Sequence, residues 1–515
     1  MEVMEAVMEE LKARSVYLYE TYAPYYVCSF MTHAFNQMNQ RREIYWDSKR
    51  VPNMRLHILF VAPAGFMKSF YMGTMGGERF SIFRNCGVPI GFEQSMCLPA
   101  GEKVNMADGS HKNIEDVQLG DMVLGCKEDA CCHLTNAYVT AIHRMYSPTI
   151  LEVVLSDGKK IRLTSNHPLC TPCGWRKAGD LSYGDAVAVV NDRRTEWAYV
   201  EHVHIQKGEL VYNLSTECKT FVANNIITHN TEAAFVGTIR DIDGIGHPTL
   251  GAAADYKDGM LLIDEFSALT NAMKVQYNSQ MDAQLLAALD HGHVVKRLGT
   301  GRIEYTTNLT LWAGVQPAKY DLSSGLGRRM CFLLFLPTKL DNVALMRTMH
   351  KTRNIRPDVR EMDNLWGLIK NSVSNMECIE TIDFGDSVLK LYEELNLFSY
   401  ESSYFDRLLL GWHLATYGAE PHMMIEAQDK ELLQLVNREK KWRDEIAAGV
   451  DHAQMMKIIK ACGSSIDGKL QISKPDLIQE CTMVGWNARQ VADVLTELTR
   501  FGMIENHGAR VVVLE

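Results

Sequence analysis

The sequence predicts an α/β chain of several domains, interrupted in its first half by a compact all-β domain. Three observations predict it. Buried-strand runs, His57-Ile58-Leu59-Phe60-Val61 and Met260-Leu261-Leu262-Ile263, stand among helical stretches on either side of residues 97–230. Between them, short β-type runs (VLG, YVTAIHRM, TILEVVLSDGKKIRLT, DAVAVV, VYNLS, TFVANNIIT) alternate with Gly and Asp turns, the texture of closely spaced strands. Seven of the 13 cysteines fall between 97 and 218, which sets that stretch apart again.

A chain of 515 residues is too long for one ordinary domain. Hydrophobic and charged fractions of 46% and 23% are those of a soluble globular protein. A net charge of −10 argues against a surface coated in basic residues, yet leaves room for local Lys and Arg contacts to nucleic acid. The N-terminus, MEVMEAVMEELKARS, is acidic and amphipathic and lacks the apolar core of a secretion signal. No run approaches the ~20 apolar residues of a membrane span. Cysteines without a secretion signal point to a reducing cytoplasm, where they are thiols, metal ligands or nucleophiles.

The ends of the island carry a chemical logic. It opens with Cys97, whose thiol is able to attack the carbonyl of Met96. It closes with His229-Asn230, followed by the hydroxyl of Thr231. An Asn side-chain amide can attack its own backbone carbonyl, and a neighbouring imidazole can move the proton that step needs. Thiol, amide and hydroxyl together are what two cleavages and one ligation require.

On these residues the island resembles inteins, the self-splicing Hint domains. CLPAGEKVNMADGSHKNIEDVQLGDMVLG is similar to their opening block, LTSNHPL to the internal block, and VYNLSTECKTFVANNIITHNT to the two closing blocks. The resemblance assigns Thr164 and His167 to activation of the bond before Cys97, and His229 to Asn230 cyclisation. Thr231 takes the acyl group, and Met96 is finally joined to it. Lys219 departs from the family, which often carries His there. The 134 residues leave no room for a homing endonuclease, so the resemblance is to a mini-intein needing no cofactor. A related reading is a domain that cleaves without ligating. Cys131-Cys132-His133 and Cys170-Thr171-Pro172-Cys173 have spacings that suit zinc or a redox pair. Thr-Pro-Cys-Gly also reads as a hairpin turn, and that reading is preferred.

Without the island the host has 381 residues. Ala62-Pro63-Ala64-Gly65-Phe66-Met67-Lys68-Ser69 follows the first buried strand as a degenerate phosphate loop. Its amides, with Ala64 and Gly65 central, would cradle ATP phosphates, Lys68 would neutralise them, and Ser69 would bind Mg²⁺. Asp264-Glu265 ends the second buried strand, Asp264 for the Mg²⁺ shell and Glu265 for the attacking water. The insertion is expected to separate Lys68 from the sheet that carries Asp264.

From 231 to about 337 the host resembles the MCM branch of AAA+ ATPases, through TLGAAADYKDGMLLIDEFSAL, HVVKRLGTGRIEYTTNLTLWAGVQP and GLGRRMCFLLF. That resemblance implies a helicase or translocase acting on DNA as a homo-oligomeric ring, expected to be a hexamer. It assigns Gln316 to a sensor, Arg329 (beside Arg328) to an arginine finger, and Arg407 to a second sensor. Lys296, Arg297 and Arg302 would lie on a DNA-facing hairpin; a solvated basic turn is an equal reading. The rival for the host is a loader or DNA-binding regulator without helicase activity. Only about 50 residues precede the phosphate-loop strand, so the family's N-terminal DNA-binding domain is not expected in this sequence.

The expected fold is therefore multidomain: an α/β AAA+ P-loop core with a helical lid and a C-terminal winged helix, interrupted by an all-β Hint/intein domain. The segments are 1–50 (helical), 51–96 and 231–340 (core), 97–230 (island), 341–450 (lid and linker) and 451–515 (winged helix).

Overall fold

The computed structural model describes residues 2–514 except 47–48, 64–66, 78–79, 94–96, 128–132, 219, 230–236, 243–244, 265, 267–280, 299–300, 317–328, 353–356, 398, 467–468 and 485. The chain divides into two compact units, Met1–Phe92 with Phe235–Glu515, and Glu93–Ala234.

The second unit is the all-β island. Its main strand path runs Lys160–Leu163, Leu134–Leu155, Arg194–Thr216, Ala186–Asn191, Ile226–His229, Thr220–Ala223, Lys103–Asn105, His111–Asn113. The two long strands pair antiparallel over most of their length, with Val153 opposite Val203 and Met145 opposite Val211. Strands Pro168–Thr171, Thr220–Ala223 and Ile226–His229 are buried at every residue. The last two are joined by Asn224 and Asn225, both at positive φ (50° and 61°). A two-residue hairpin turn of this hand needs positive φ twice, and Asn tolerates it. The turn sets the register, placing Phe221 opposite Thr228 and Thr220 opposite His229. Strand alternation then sorts the side chains. Phe221, Ala223 and Ile226 join the main apolar cluster with Leu169, whereas Val222 and Ile227 join a smaller one with Cys126, Cys170, Ala188 and Val190.

The first unit is built on a five-stranded sheet in the spatial order Met330–Leu334, His57–Val61, Thr310–Val315, Met260–Ile263, Ile90–Glu93. In chain order that is fifth, first, fourth, third, second. The first, third, fourth and fifth strands run parallel. The sequence-based expectation that the insertion separates Lys68 from the sheet carrying Asp264 is not met. Strands from before and after the island interleave, and Ser69 Oγ donates a 2.5 Å hydrogen bond to Asp264 Oδ1 across it.

Other differences follow from tertiary packing. The N-terminal segment is helical, and it packs into the core of the sheet. Its helix Tyr19–Arg42 is buried along most of its length in the same core as the sheet. Ser29 Oγ there accepts the indole N–H of Trp312 at 2.7 Å. Gly237–Ile242 and Ile245–Leu250 pair as antiparallel strands where helical texture was expected. The 341–450 region is helical but also carries strands Thr381–Phe384 and His422–Ile425, which extend a small sheet begun by Tyr45–Trp46.

In the C-terminal segment, expected as a winged helix, helices run Val450–Cys462, Lys474–Met483 and Ala488–Arg500. Ser473 and Asn487 cap the last two, their side-chain oxygens accepting the N–H of Asp476 and Gln490. The terminal hairpin Ile504–Asn506 with Arg510–Val513 is joined by a further one, Ser464–Ile466 with Lys469–Ser473, which the sequence reading lacked. No described helix is long and apolar enough to cross a membrane.

Candidate functional site

In the island, Cys97 is fully buried beside Ile150 and Val211. The following strand, Leu98–Pro99, pairs with Val211–Tyr212 and fixes its height in the sheet. Its backbone is gripped from both sides by one residue. The Cys97 N–H donates to Thr164 Oγ1 at 3.0 Å, and the Thr164 N–H donates to the Cys97 carbonyl at 2.9 Å. The N–H so held belongs to the peptide bond between residues 96 and 97.

Thr164 opens a tight turn in which the His167 N–H donates to the Thr164 carbonyl at 3.0 Å. The His167 ring is fully buried, edge-on to Phe221 with ring centres 6.3 Å apart. Among the described residues neither of its ring nitrogens has a hydrogen-bond partner. Burial, and secondarily the nearby His229, push its pKa from 6.5 down to about 3. At neutral pH it is therefore an uncharged imidazole, able to accept a proton and reluctant to keep it.

His229 ends the Ile226–His229 strand, buried to 1% exposure. Its ring meets the Trp175 indole at 4.5 Å and 67°. The motif reading missed Trp175, which lies 54 residues away in sequence and reaches His229 only through strand pairing. Met96, Lys219, Asn230 and Thr231 lie outside the described residues, as do Cys131 and Cys132. Cys170 points into the smaller apolar cluster while Cys173 is exposed in a turn. Thr171 Oγ1 closes that turn on the Gly174 carbonyl at 2.6 Å, so the segment is the hairpin turn preferred above. Among the described residues no cluster of three or more His, Cys, Asp or Glu side chains is placed to hold a metal ion.

In the host, Lys68 begins the helix that follows the first strand and is 5% exposed. Its ammonium donates to the carbonyls of Ala62 (2.7 Å) and Pro63 (2.9 Å). Met67 before it has positive φ (51°), a conformation that favours Gly. Gly314 packs so closely that a Cβ there would lie 2.5 Å from the Asp264 carbonyl and 3.1 Å from Lys68 Cδ. Gln316 follows the fourth strand, whose Val315 carbonyl accepts the Ala62 N–H. Lys68, Ser69, Asp264 and Gln316 are thus gathered at the carboxyl ends of three adjacent strands. A hydroxyl and a carboxylate oxygen side by side suit a hard cation such as Mg²⁺. Ala64, Gly65, Glu265 and Arg328 lie outside the described residues.

Arg329 is ion-paired to Asp290 of its own chain. Arg407 is buried, donates to the Arg55 carbonyl at 3.1 Å, and has its basicity lowered by burial against the pull of Asp290 and Asp406. Both arginines act on Asp290, Arg329 by an ion pair and Arg407 through its charge. The basic hairpin is formed by His293–Leu298 and Gly301–Thr306, with Lys296 opposite Ile303 and Arg297 opposite Arg302. Arg302 is ion-paired to Glu304, so the face is mixed rather than purely basic.

No family model matches the chain. Over 150 residues, 26% of the chain, it is 27% identical to the Indian hedgehog B protein of Danio rerio, and it spans 36% of that protein's length. Among solved structures it is similar to a DnaB intein from Synechocystis sp. PCC 6803, with 21% identity over 27% of this chain and 99% of that one, TM-score 0.26. It is also similar to a bacterial intein-like domain from Clostridium thermocellum, with 23% identity over 26% and 98%, TM-score 0.24. A third similarity is to the gp41-1 intein, with 21% identity over 26% and 99%, TM-score 0.23.

Proposed function

We propose that the chain is a self-splicing precursor in which residues 97–230 excise themselves and Met96 is joined to Thr231. The observation that carries this reading is the double hydrogen bond between Cys97 and Thr164, which restrains the amide to be broken, beside a buried neutral His167. In the first step Cys97 Sγ attacks the Met96 carbonyl carbon. His167 takes the thiol proton and returns it to the departing Cys97 nitrogen. Thr164, accepting that N–H, twists and orients the amide for attack. Thr231 Oγ then displaces the thiolate, giving a branched ester. The Asn230 side-chain nitrogen attacks its own carbonyl, a succinimide forms, and the bond to Thr231 breaks with His229 passing the proton to the leaving nitrogen. The freed Thr231 amine takes the acyl group from its own oxygen.

For the host we infer an ATPase of the AAA+ class acting on DNA. The support is topological. In an open parallel sheet, ligands sit where strand order reverses, outside the carboxyl ends. Here that point lies between His57–Val61 and Thr310–Val315, where Lys68, Ser69, Asp264 and Gln316 meet. Lys68 would hold the phosphates, and Ser69 and Asp264 the Mg²⁺, which neutralises charge on the transferring phosphoryl group. Glu265 would orient the water. Assembly as a homo-oligomeric ring would require Arg329 to leave Asp290 for a neighbour's nucleotide. The three C-terminal helices with their hairpins fit a winged-helix module, for DNA or protein contact.

Intact mass spectrometry of the expressed chain tests the first reading. A 381-residue ligated product and a 134-residue piece are expected, both absent from a Cys97→Ala, Asn230→Ala control. Fragments without ligation would favour a cleavage-only domain, and an uncut 515-residue chain under all conditions would overturn the reading.

A further inference from the structure

Two imidazoles buried among the island's described residues are backed by different aromatic rings. His167 lies against Phe221, a member of the main apolar cluster. His229 lies against Trp175, which packs on the smaller cluster of Cys126, Cys170, Ala188, Val190, Val222 and Ile227. Alternation along Thr220–Ala223 and Ile226–His229 makes these opposite faces of one sheet. Phe221 and Ile226 belong to one face, Val222 and Ile227 to the other, and His229 follows Ile227 by two residues.

Register explains how Trp175 arrives there. Strand Pro168–Thr171 pairs on one side with Gly174–Lys177, Cys170 opposite Trp175, and on the other with Ile226–His229, Leu169 opposite Thr228. The indole therefore reaches over the intervening strand to the ring of His229. Its own position is fixed by the apolar side chains beneath it.

We propose that Trp175 is the positioning residue for the His229 imidazole, and so serves Asn230 cyclisation rather than the acyl shift at Cys97. This rests on the splicing reading above. It assigns Trp175 a role confined to one of the two cleavages, because His167, Thr164 and Cys97 do not touch it in any described contact. An imidazole that moves protons at a reacting nitrogen must hold one orientation, and a displacement of about 1 Å can cost on the order of a hundredfold.

The test follows each cleavage separately in the full chain. Thiol-driven cleavage at Cys97 is measured in an Asn230→Ala background, and cleavage after Asn230 in a Cys97→Ala background. Trp175→Ala is expected to slow the Asn230 cleavage at least about tenfold and to leave the Cys97 cleavage within about twofold. Trp175→Phe, which keeps a ring against His229, is expected to restore most of the rate. An equal loss at both sites would make the indole a general structural support and overturn the proposal. Unchanged Asn230 cleavage in Trp175→Ala, or no recovery in Trp175→Phe, would overturn it too. A chain with native Trp175 that cleaves at neither site would sink the splicing reading itself, and with it the role of Trp175.

Discussion

The island and the host core hold their polar groups by different means. In the island the bond that the proposed reaction would break is restrained through its own backbone: Thr164 grips Cys97 by one side-chain and one main-chain hydrogen bond, inside a buried sheet. In the host the corresponding groups are side chains leaning on one another, Lys68 on two loop carbonyls and Ser69 on Asp264. A domain whose substrate is its own chain can fix every reactant in advance. A site that must receive a diffusing ligand needs groups whose present partners are exchangeable. The comparison predicts that island substitutions act on a preset geometry, while host substitutions act on ligand capture.

The largest expected effect is on acid stability of the island. His167 takes up a proton at 6.5 when unfolded and only near 3 when folded. Its contribution is therefore complete above pH 6.5 and is lost as pH falls from there toward 3, by about 4 kcal/mol over the window. Acid titration of the Cys97→Ala, Asn230→Ala chain, followed by hydrogen exchange at the amides of the island strands, should show this loss. His167→Asn should flatten it; an unchanged profile would show that His167 is not the group refusing the proton.

Next is the restraint on Cys97. Thr164→Val removes the acceptor of the Cys97 N–H at nearly constant volume. Thiol-driven cleavage there is expected to fall by about a hundredfold, with cleavage after Asn230 retained. Equal rates in Thr164→Val and the parent would remove the hydrogen bond from the mechanism.

The smallest effect lies in the host. Gly314→Ala places a methyl against the Asp264 carbonyl and the Lys68 stem. About 1–3 kcal/mol of overpacking is expected, read as roughly tenfold weaker ATP binding by the ligated host. Splicing should be unchanged. Weakened splicing in this variant would contradict the independence of the two regions.

Much of this was readable from sequence where local chemistry and spacing decide. Cys97 and His229 stood out by the chemistry of the junctions, and Thr164 and His167 only through the family resemblance; the structure adds the Cys97–Thr164 hydrogen bonds and the burial of both rings. The strands His57–Val61 and Met260–Ile263 were evident as apolar runs, and the pairing of His293–Leu298 with Gly301–Thr306 was implied only by the family resemblance. What sequence could not carry was pairing between distant segments. The helix Tyr19–Arg42 is buried on nearly all sides, so it offers no polar stripe to announce what it packs against. Trp175 acquires a partner only through a register two strands wide. The strands Gly237–Ile242 and Ile245–Leu250 have Gly and Pro at positions that resemble loop punctuation, and only their pairing makes them a ribbon.

The interleaving of the host sheet has a consequence for any failed reaction. The segment before the island supplies the first and second strands, and the first is flanked on both sides by strands from after it, Met330–Leu334 and Thr310–Val315. Cutting both junctions without ligation would therefore leave a nicked protein rather than two free pieces. The halves should co-migrate under native conditions and part only in denaturant, held by a shared core as a severed but uncoupled chain.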